Sequence, residues 1–270
     1  MNPANAAPTI TVPALASMRS RGVPLVATTA YDATLAATID ASGIDIILIG
    51  DSLGMVVQGR STTLAVSVEH MVYHCAAVAR GVERALLIGD MPFASYPSPD
   101  VAYANAARLI GEGGIAMVKL EGAGPVLESL QYLAARDIPV CAHLGLTPQS
   151  VHRMGGFRVQ GRNADAASRL KADAHAVVES GASLLVLEGV PAELAREITA
   201  ASAIPTIGIG AGVACDGQIL VCYDILGLTR GHRPRFVADF MQGAESVQAA
   251  FEAFAAAVRE RRFPDATQSY

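Results

Sequence analysis

Tryptophan is absent, and aromatic residues fill only 5% of the 270 positions. Because 51% of the chain is hydrophobic, aliphatic side chains and alanine must make up the core. A chain of this length buries most of its apolar surface without covalent staples. Staples are in any case scarce: the four cysteines, Cys75, Cys141, Cys215 and Cys222, include no pair at CxxC spacing. Buried, reduced thiols in a cytosolic protein are the expected state. No block of like charge occurs and the net charge is a modest -5, which argues against nucleic acid or an acidic membrane as partner. No uncharged apolar stretch approaches the length of about 18 residues that a membrane-spanning helix needs. The opening segment, MNPANAAPTITVP, has neither the basic start nor the apolar stretch of a signal peptide. A soluble, cytoplasmic protein acting on a small molecule is the expectation.

What the chain does have is an alternation of short apolar runs with longer amphipathic stretches. Strands are expected at residues 24–29, 44–49, 85–89, 115–119, 138–143, 183–187 and 204–209, with an eighth near 223–228 (YDILGL). The runs are continuously apolar, as parallel strands covered on both faces should be. Helical spacing of apolar residues marks 32–42, 67–80, 164–180, 191–201 and a C-terminal segment carrying Val247, Phe251, Phe254, Ala255 and Val258. Arg259, Arg261 and Arg262 stand at the end of that last helix, where positive charge suits the macrodipole. About eight strand-then-helix units imply an α/β fold, a single-domain (β/α)8 TIM barrel. A short N-terminal helix at 11–21 would close one end, and the C-terminal helix would be an addition. The expected boundaries are a flexible tail at 1–10, the barrel at 11–264 and a short tail at 265–270.

In such a barrel chemistry sits at the carboxyl ends of the strands. The polar residues that directly follow the apolar runs are Asp51, Asp90, Lys119 with Glu121, His143 and Glu188. Asp51 and Asp90 share the context LIGD, with Gly50 placed to let the backbone bend. Lys119 and Glu121 are two apart and point to one side of a strand. Each residue alone could merely start a loop or cap a helix; together they form a ring of carboxylates. Such a ring repels itself unless protonated or bridged by a cation, and a hard divalent ion such as Mg²⁺ suits carboxylates and leaves positions for substrate oxygens. His70 and His74 are i, i+4 on a helix, but EHMVYH lacks the HExxH order of a zinc site. GIGAG (208–212) lacks the spacing of a dinucleotide fingerprint, which leaves a phosphate cradle or a tight turn. GGFRVQGR (155–162) reads as a mobile lid or as an ordinary exposed loop.

The motifs GDSLGMVVQG, GDMPFASY, VKLEG, HLGLTPQ, GGFRVQGR and GIGAGVACDGQILV, in this order, resemble the ketopantoate hydroxymethyltransferase family, also called 3-methyl-2-oxobutanoate hydroxymethyltransferases. The similarity runs from about residue 9 to about 241 and leaves the C-terminal helix outside. Ala123 stands where many members carry glycine. The resemblance implies a TIM barrel, Mg²⁺, and transfer of a one-carbon unit from 5,10-methylenetetrahydrofolate to 3-methyl-2-oxobutanoate (2-oxoisovalerate) through a metal-stabilised enolate, a step of pantothenate and coenzyme A synthesis. It implies Asp51 and Asp90 as metal ligands, with Glu121 holding the ion through its water shell. It further implies that Asp51, Ser52, Asp90, Lys119 and His143 line the keto-acid site, that Glu188 is the proton acceptor, and that the protein is a homo-oligomer, with a ring of ten as the expected form.

Two rival readings compete with this one. A phosphoenolpyruvate mutase or isocitrate lyase type of enzyme also uses a barrel, Mg²⁺ and an enolate, although no cysteine here has the basic-loop setting of the isocitrate lyase thiol. A barrel that binds a keto acid without catalysis is the other.

Overall fold

The computed structural model describes residues 8–229 and 233–270; most of the tail expected at 1–10 lies outside the described residues. Eight parallel strands close on themselves in sequence order. They are β1 (Leu25–Thr29), β2 (Ile46–Ile49), β3 (Leu86–Asp90), β4 (Met117–Glu121), β5 (Val140–Gly145), β6 (Leu184–Glu188), β7 (Thr206–Ile209) and β8 (Gly217–Leu220). The first seven fall within or beside the apolar runs. Their burial is continuous and not alternating, because one face meets the barrel interior and the other meets helices.

The eighth strand is a correction. YDILGL was expected to form it, but Cys222–Ile225 is a short helix and the strand is GQIL, just upstream. Closure explains the choice. Gly217 lies against Leu25 of β1, where a Cβ would come within 2.3 Å of the Leu25 carbonyl oxygen. Gln218 satisfies its buried amide on the Gly212 carbonyl at 3.0 Å. A glycine and a glutamine break the apolar signature that marked the other strands.

The helices are α1 (Val12–Ser20), α2 (Ala33–Ala41), α3 (Leu53–Val56), α4 (Val68–Ala79), α5 (Pro99–Gly111), α6 (Val126–Ala134), α7 (Val151–Met154), α8 (Ala164–Glu179), α9 (Ala192–Ala201), α10 (Cys222–Ile225) and α11 (Val247–Arg259). Side chains of Thr11, Asp32, Ser67, Asn163 and Ser246 accept from backbone N–H groups three residues on, which satisfies donors that a helix start leaves free. Helix α1 closes the amino end of the barrel: Leu15 is fully buried, and Arg19 reaches Asp216 ahead of β8 at 3.1 Å and the Ser202 carbonyl ahead of β7 at 2.5 Å.

Between β7 and β8 there is no helix, only the turn 210–216. The outer layer is completed instead by α11, which packs on β1 and α2. The helix read as an addition thus occupies the place of the eighth barrel helix. Phe254 of α11 is fully buried and meets Phe240 and Phe263 edge to face at 5.4 and 5.7 Å. Arg259 serves more than the helix dipole: it binds the buried carboxylate of Asp45, just ahead of β2, at 2.6 Å. Residues 265–270 form a turn around Asp265 and lay Tyr270 on the barrel, where its carbonyl accepts from Ala192 N at 2.9 Å.

Candidate active site

The carboxyl ends of five consecutive strands bring together the residues singled out in the sequence. Register does most of the placing: Asp90 lies beside Lys119, and Glu121 beside His143. Asp51, one residue beyond the turn glycine after β2, donates its backbone N–H to Asp90 Oδ2 at 2.9 Å. The two LIGD repeats therefore meet in space. The backbone turns directly after Gly50, at Asp51 and Ser52, without a left-handed conformation at the glycine. The glycine is needed for close approach, since a Cβ there would sit 2.7 Å from Ser52 Oγ and 3.5 Å from Asp90 Oδ2.

Lys119 is the hub. Its ammonium is 3.0 Å from Asp90 Oδ1, 3.2 Å from His143 Nδ1 and 3.7 Å from Glu121 Oε1. Asp51, Asp90, Lys119, Glu121 and His143 are all buried, while Glu188 keeps 16% of its side chain exposed. One lysine does not balance three buried carboxylates. Burial, together with the charges of Asp90 and Glu121, pushes the Asp51 carboxyl well above the usual carboxylate range. Burial also raises Asp90, against the opposing pull of Lys119. For Glu121 burial is outweighed by Lys119 and His143, and its carboxyl is held low. His143 lies between two carboxylates, with Nδ1 at 3.5 Å from Glu121 and Nε2 at 3.2 Å from Glu188. Burial and Lys119 would lower its pKa, but the two carboxylates prevail and raise it to about 9.

Two buried polar atoms here, Asp90 Oδ1 and His143 Nε2, have charged neighbours but no hydrogen bond of acceptable geometry. Each is held by an ion pair, Asp90 Oδ1 with Lys119 at 3.0 Å and His143 Nε2 with Glu188 at 3.2 Å. Among the described residues no three His, Cys, Asp or Glu side chains converge as a preformed ligand set. The carboxylates turn toward Lys119 and a neighbouring glutamine instead.

That glutamine, Gln149, was not singled out in the sequence, nor were Tyr96 and Tyr31. Gln149 follows β5 in a 3-10 turn. Its Nε2 donates to Asp51 Oδ2 and to the Met91 carbonyl, both at 2.9 Å, and its backbone N donates to Glu121 Oε2 at 3.0 Å. Tyr96 OH donates to Gln149 Oε1 at 2.5 Å. Ser52 shares a hydrogen bond with Tyr31 OH at 2.9 Å.

The remaining motifs resolve differently. His70 completes a capping box with Ser67, and His74 Nδ1 lies 2.7 Å from the Tyr31 carbonyl, so the i, i+4 pair is structural. In GIGAG, Gly210 and Gly212 take positive φ, and a Cβ on Gly212 would meet Ala192 at 2.5 Å; the segment is the end of β7 and a tight turn beyond it. In GGFRVQGR, Gln160 N is tied to the Gly189 carbonyl at 2.9 Å while Phe157 is exposed. All four cysteines are free and buried. A cavity of about 570 Å³ lies at the other end of the barrel between α1 and α9. Its arginines are already paired, Arg19 with Asp216 and Arg196 with Glu193, so it offers no free charge to a ligand. Among the described residues no helix is long and apolar enough to cross a membrane.

Comparison with solved structures gives the barrel and nothing finer. A phosphonopyruvate hydrolase superposes with a TM-score of 0.61 at 13% identity, covering 79% of this chain and 80% of that one. A 2,3-dimethylmalate lyase of the phosphoenolpyruvate mutase/isocitrate lyase superfamily gives 0.56 at 17%, covering 75% and 70%. Sequence relatives are far closer. The 3-methyl-2-oxobutanoate hydroxymethyltransferase of Xylella fastidiosa (strain M23) is 56% identical over 261 residues, 96% of each chain. That of Xanthomonas oryzae pv. oryzae (strain MAFF 311018) is likewise 56% identical over 96% of each. The family model for ketopantoate hydroxymethyltransferase matches residues 9–266. The match therefore takes in α11, which the resemblance read from motifs had left outside. The chain belongs to the ketopantoate hydroxymethyltransferase family and is, by that membership, a transferase enzyme of pantothenate synthesis.

Proposed function

We propose that the barrel mouth binds 3-methyl-2-oxobutanoate and Mg²⁺ and transfers to the keto acid a one-carbon unit from 5,10-methylenetetrahydrofolate. The observation that carries this reading is the buried, under-neutralised carboxylate cluster at the ends of β2, β3 and β4. Among the described residues Lys119 is the only cation paired with Asp90 and Glu121 besides His143, and the Asp51 carboxyl is pushed up by burial and by its acidic neighbours. An all-oxygen donor set with excess negative charge suits a hard divalent cation, so the residues fit the ion. Asp51 and Asp90 would hold it directly and Glu121 through water. When bound, the cation polarises the ketone and offsets charge developing on its oxygen.

The chain's own residues supply the rest. Lys119 neutralises substrate carboxylate charge, and Ser52, held by Tyr31, orients the same end of the keto acid. Glu188 stands on β6, across the mouth from the ligand strands, and accepts the proton from C3. His143 fixes the position of Glu188 and separates it from Glu121. The carbanion equivalent then forms a carbon–carbon bond to the methylene carbon. Both bonds from that carbon, to N5 and N10 of the folate, break; one water supplies the hydroxyl group, the proton taken from C3 and the other proton of the water go to the two nitrogens, and 2-dehydropantoate and tetrahydrofolate leave. The four buried cysteines provide no thiol at the mouth for an isocitrate lyase type of cleavage. We further propose a cytoplasmic homo-oligomer, with no nucleic-acid or membrane partner.

The test is direct. Purified protein given both substrates and Mg²⁺ should form 2-dehydropantoate, and a chelator should stop it. No product with all three supplied, or undiminished product after chelation, contradicts the proposal.

A further inference from the structure

We propose that Gln149 and Tyr96 form a brace that presets Asp51 and Glu121 for the cation, making both of them positioning residues for the reaction. The inference rests on the reading that these carboxylates bind a divalent ion, and it concerns side chains that would not themselves touch it.

The directions of the hydrogen bonds are fixed by chemistry. Gln149 Nε2 lies 2.9 Å from two atoms that can only accept or that do so here, the Met91 carbonyl and Asp51 Oδ2. The amide nitrogen must face them, so Oε1 faces Tyr96. Tyr96 OH must then donate to Oε1, at 2.5 Å, which leaves its lone pair to accept from Glu121 N at 3.4 Å. The backbone N of Gln149 returns to Glu121 at Oε2, 3.0 Å away. The result is a closed circuit: Glu121 N–H to Tyr96, Tyr96 to the Gln149 amide, the amide to Asp51, and Gln149 N–H back to the Glu121 side chain. No flip of the amide satisfies the same partners.

Two consequences follow for the ligands. Asp51 Oδ2 is occupied by an uncharged donor, which fixes the carboxylate's rotation and leaves Oδ1 as the oxygen free for an ion. Glu121 Oε2 is occupied in the same way, and Oε1 is the oxygen that faces Lys119 and His143. Gln149 is 93% buried, so water does not readily replace it. A carboxylate at 149 would instead bring a fourth negative charge within hydrogen-bond distance of Asp51. This arrangement has the form of an outer-shell support for metal ligands, whose loss typically weakens metal binding by about 10- to 100-fold.

The experiment measures Mg²⁺ binding to chelator-treated protein by titration calorimetry, alongside thermal unfolding of the same metal-free samples. Gln149→Leu, of similar size without the donors, should weaken Mg²⁺ by about 10- to 100-fold. Tyr96→Phe should weaken it less, and combining it with Gln149→Leu should add little, because both break one circuit. Should Gln149→Leu not fold, Tyr96→Phe and its pairing with Gln149→Asn carry the test. Affinity within twofold of the wild type for Gln149→Leu and Tyr96→Phe, or loss of thermal stability with metal affinity retained, overturns the brace. Asp51→Asn separates this from the reading beneath it. If Asp51→Asn loses Mg²⁺ while Gln149→Leu keeps it, only the brace fails; if Asp51→Asn binds as tightly as the wild type, the metal reading fails and the brace with it.

Discussion

At the scale of single residues the protein concentrates opposing charge in one buried place. Three carboxylates share one lysine, and the imidazole of His143 is drawn into the same network. The imidazole lends itself to a measurement that needs no turnover. In metal-free protein its pKa should lie near 9, raised from the usual 6.5. A histidine raised on folding stabilises the native state fully below its unfolded pKa of about 6.5, and that contribution fades as pH rises through 9. Histidine-selective NMR titration should therefore find His143 charged at neutral pH, and Glu188→Gln should lower its pKa. A neutral His143 at pH 7 would contradict the described pairing. The ligands have their own test: Asp51→Ala and Asp90→Ala should each weaken Mg²⁺, and unchanged affinity in both would refute their assignment. These charged residues were legible in the sequence because each interrupts an apolar run. Gln149 was not, because a glutamine four residues past a strand resembles any loop residue. Its significance lies in partners 28 and 98 positions away.

At the scale of elements, seven strands could be read because fully buried parallel strands are continuously apolar. The eighth could not, because closure of the barrel requires a glycine at 217 for backbone approach and follows it with a buried glutamine, Gln218, held by the Gly212 carbonyl. Gly217→Ala should be costly: its Cβ would press on the Leu25 carbonyl oxygen, and overpacking of this kind costs about 1–3 kcal/mol. Denaturant unfolding should show the loss, and unchanged stability would mean that β1 and β8 pair less closely than described. Helix α11 was legible as a helix but not as the barrel's eighth. Its apolar spacing marks a buried face without saying which neighbours cover it. Phe254→Ala should destabilise the protein by about 3–5 kcal/mol, which an appended helix would not do.

At the scale of the whole molecule, the barrel divides labour between its ends. Helix α1 and the Arg19–Asp216 pair seal the amino end, while the polar residues gather at the carboxyl end. The fold alone does not choose the reaction, since lyases and hydrolases of low identity share it. The choice comes from the sequence relatives and from the cluster at the mouth. The proposed homo-oligomer has its own test. Tyr73 on α4 and Val101 and Tyr103 on α5 are exposed large hydrophobic side chains of the outer helices, and light scattering should find an oligomer, with ten protomers expected. A monomer at micromolar concentration would refute that part of the proposal.

The central claim is that Glu188 removes the C3 proton of the keto acid at this mouth. It is tested most directly by deuterium exchange at C3 of 3-methyl-2-oxobutanoate, followed by proton NMR in D₂O with Mg²⁺ and no folate. The wild type should exchange that proton, and Glu188→Gln should lose at least about 100-fold of the rate while still binding Mg²⁺. Absence of exchange in the wild type, or equal exchange in Glu188→Gln, would contradict the account.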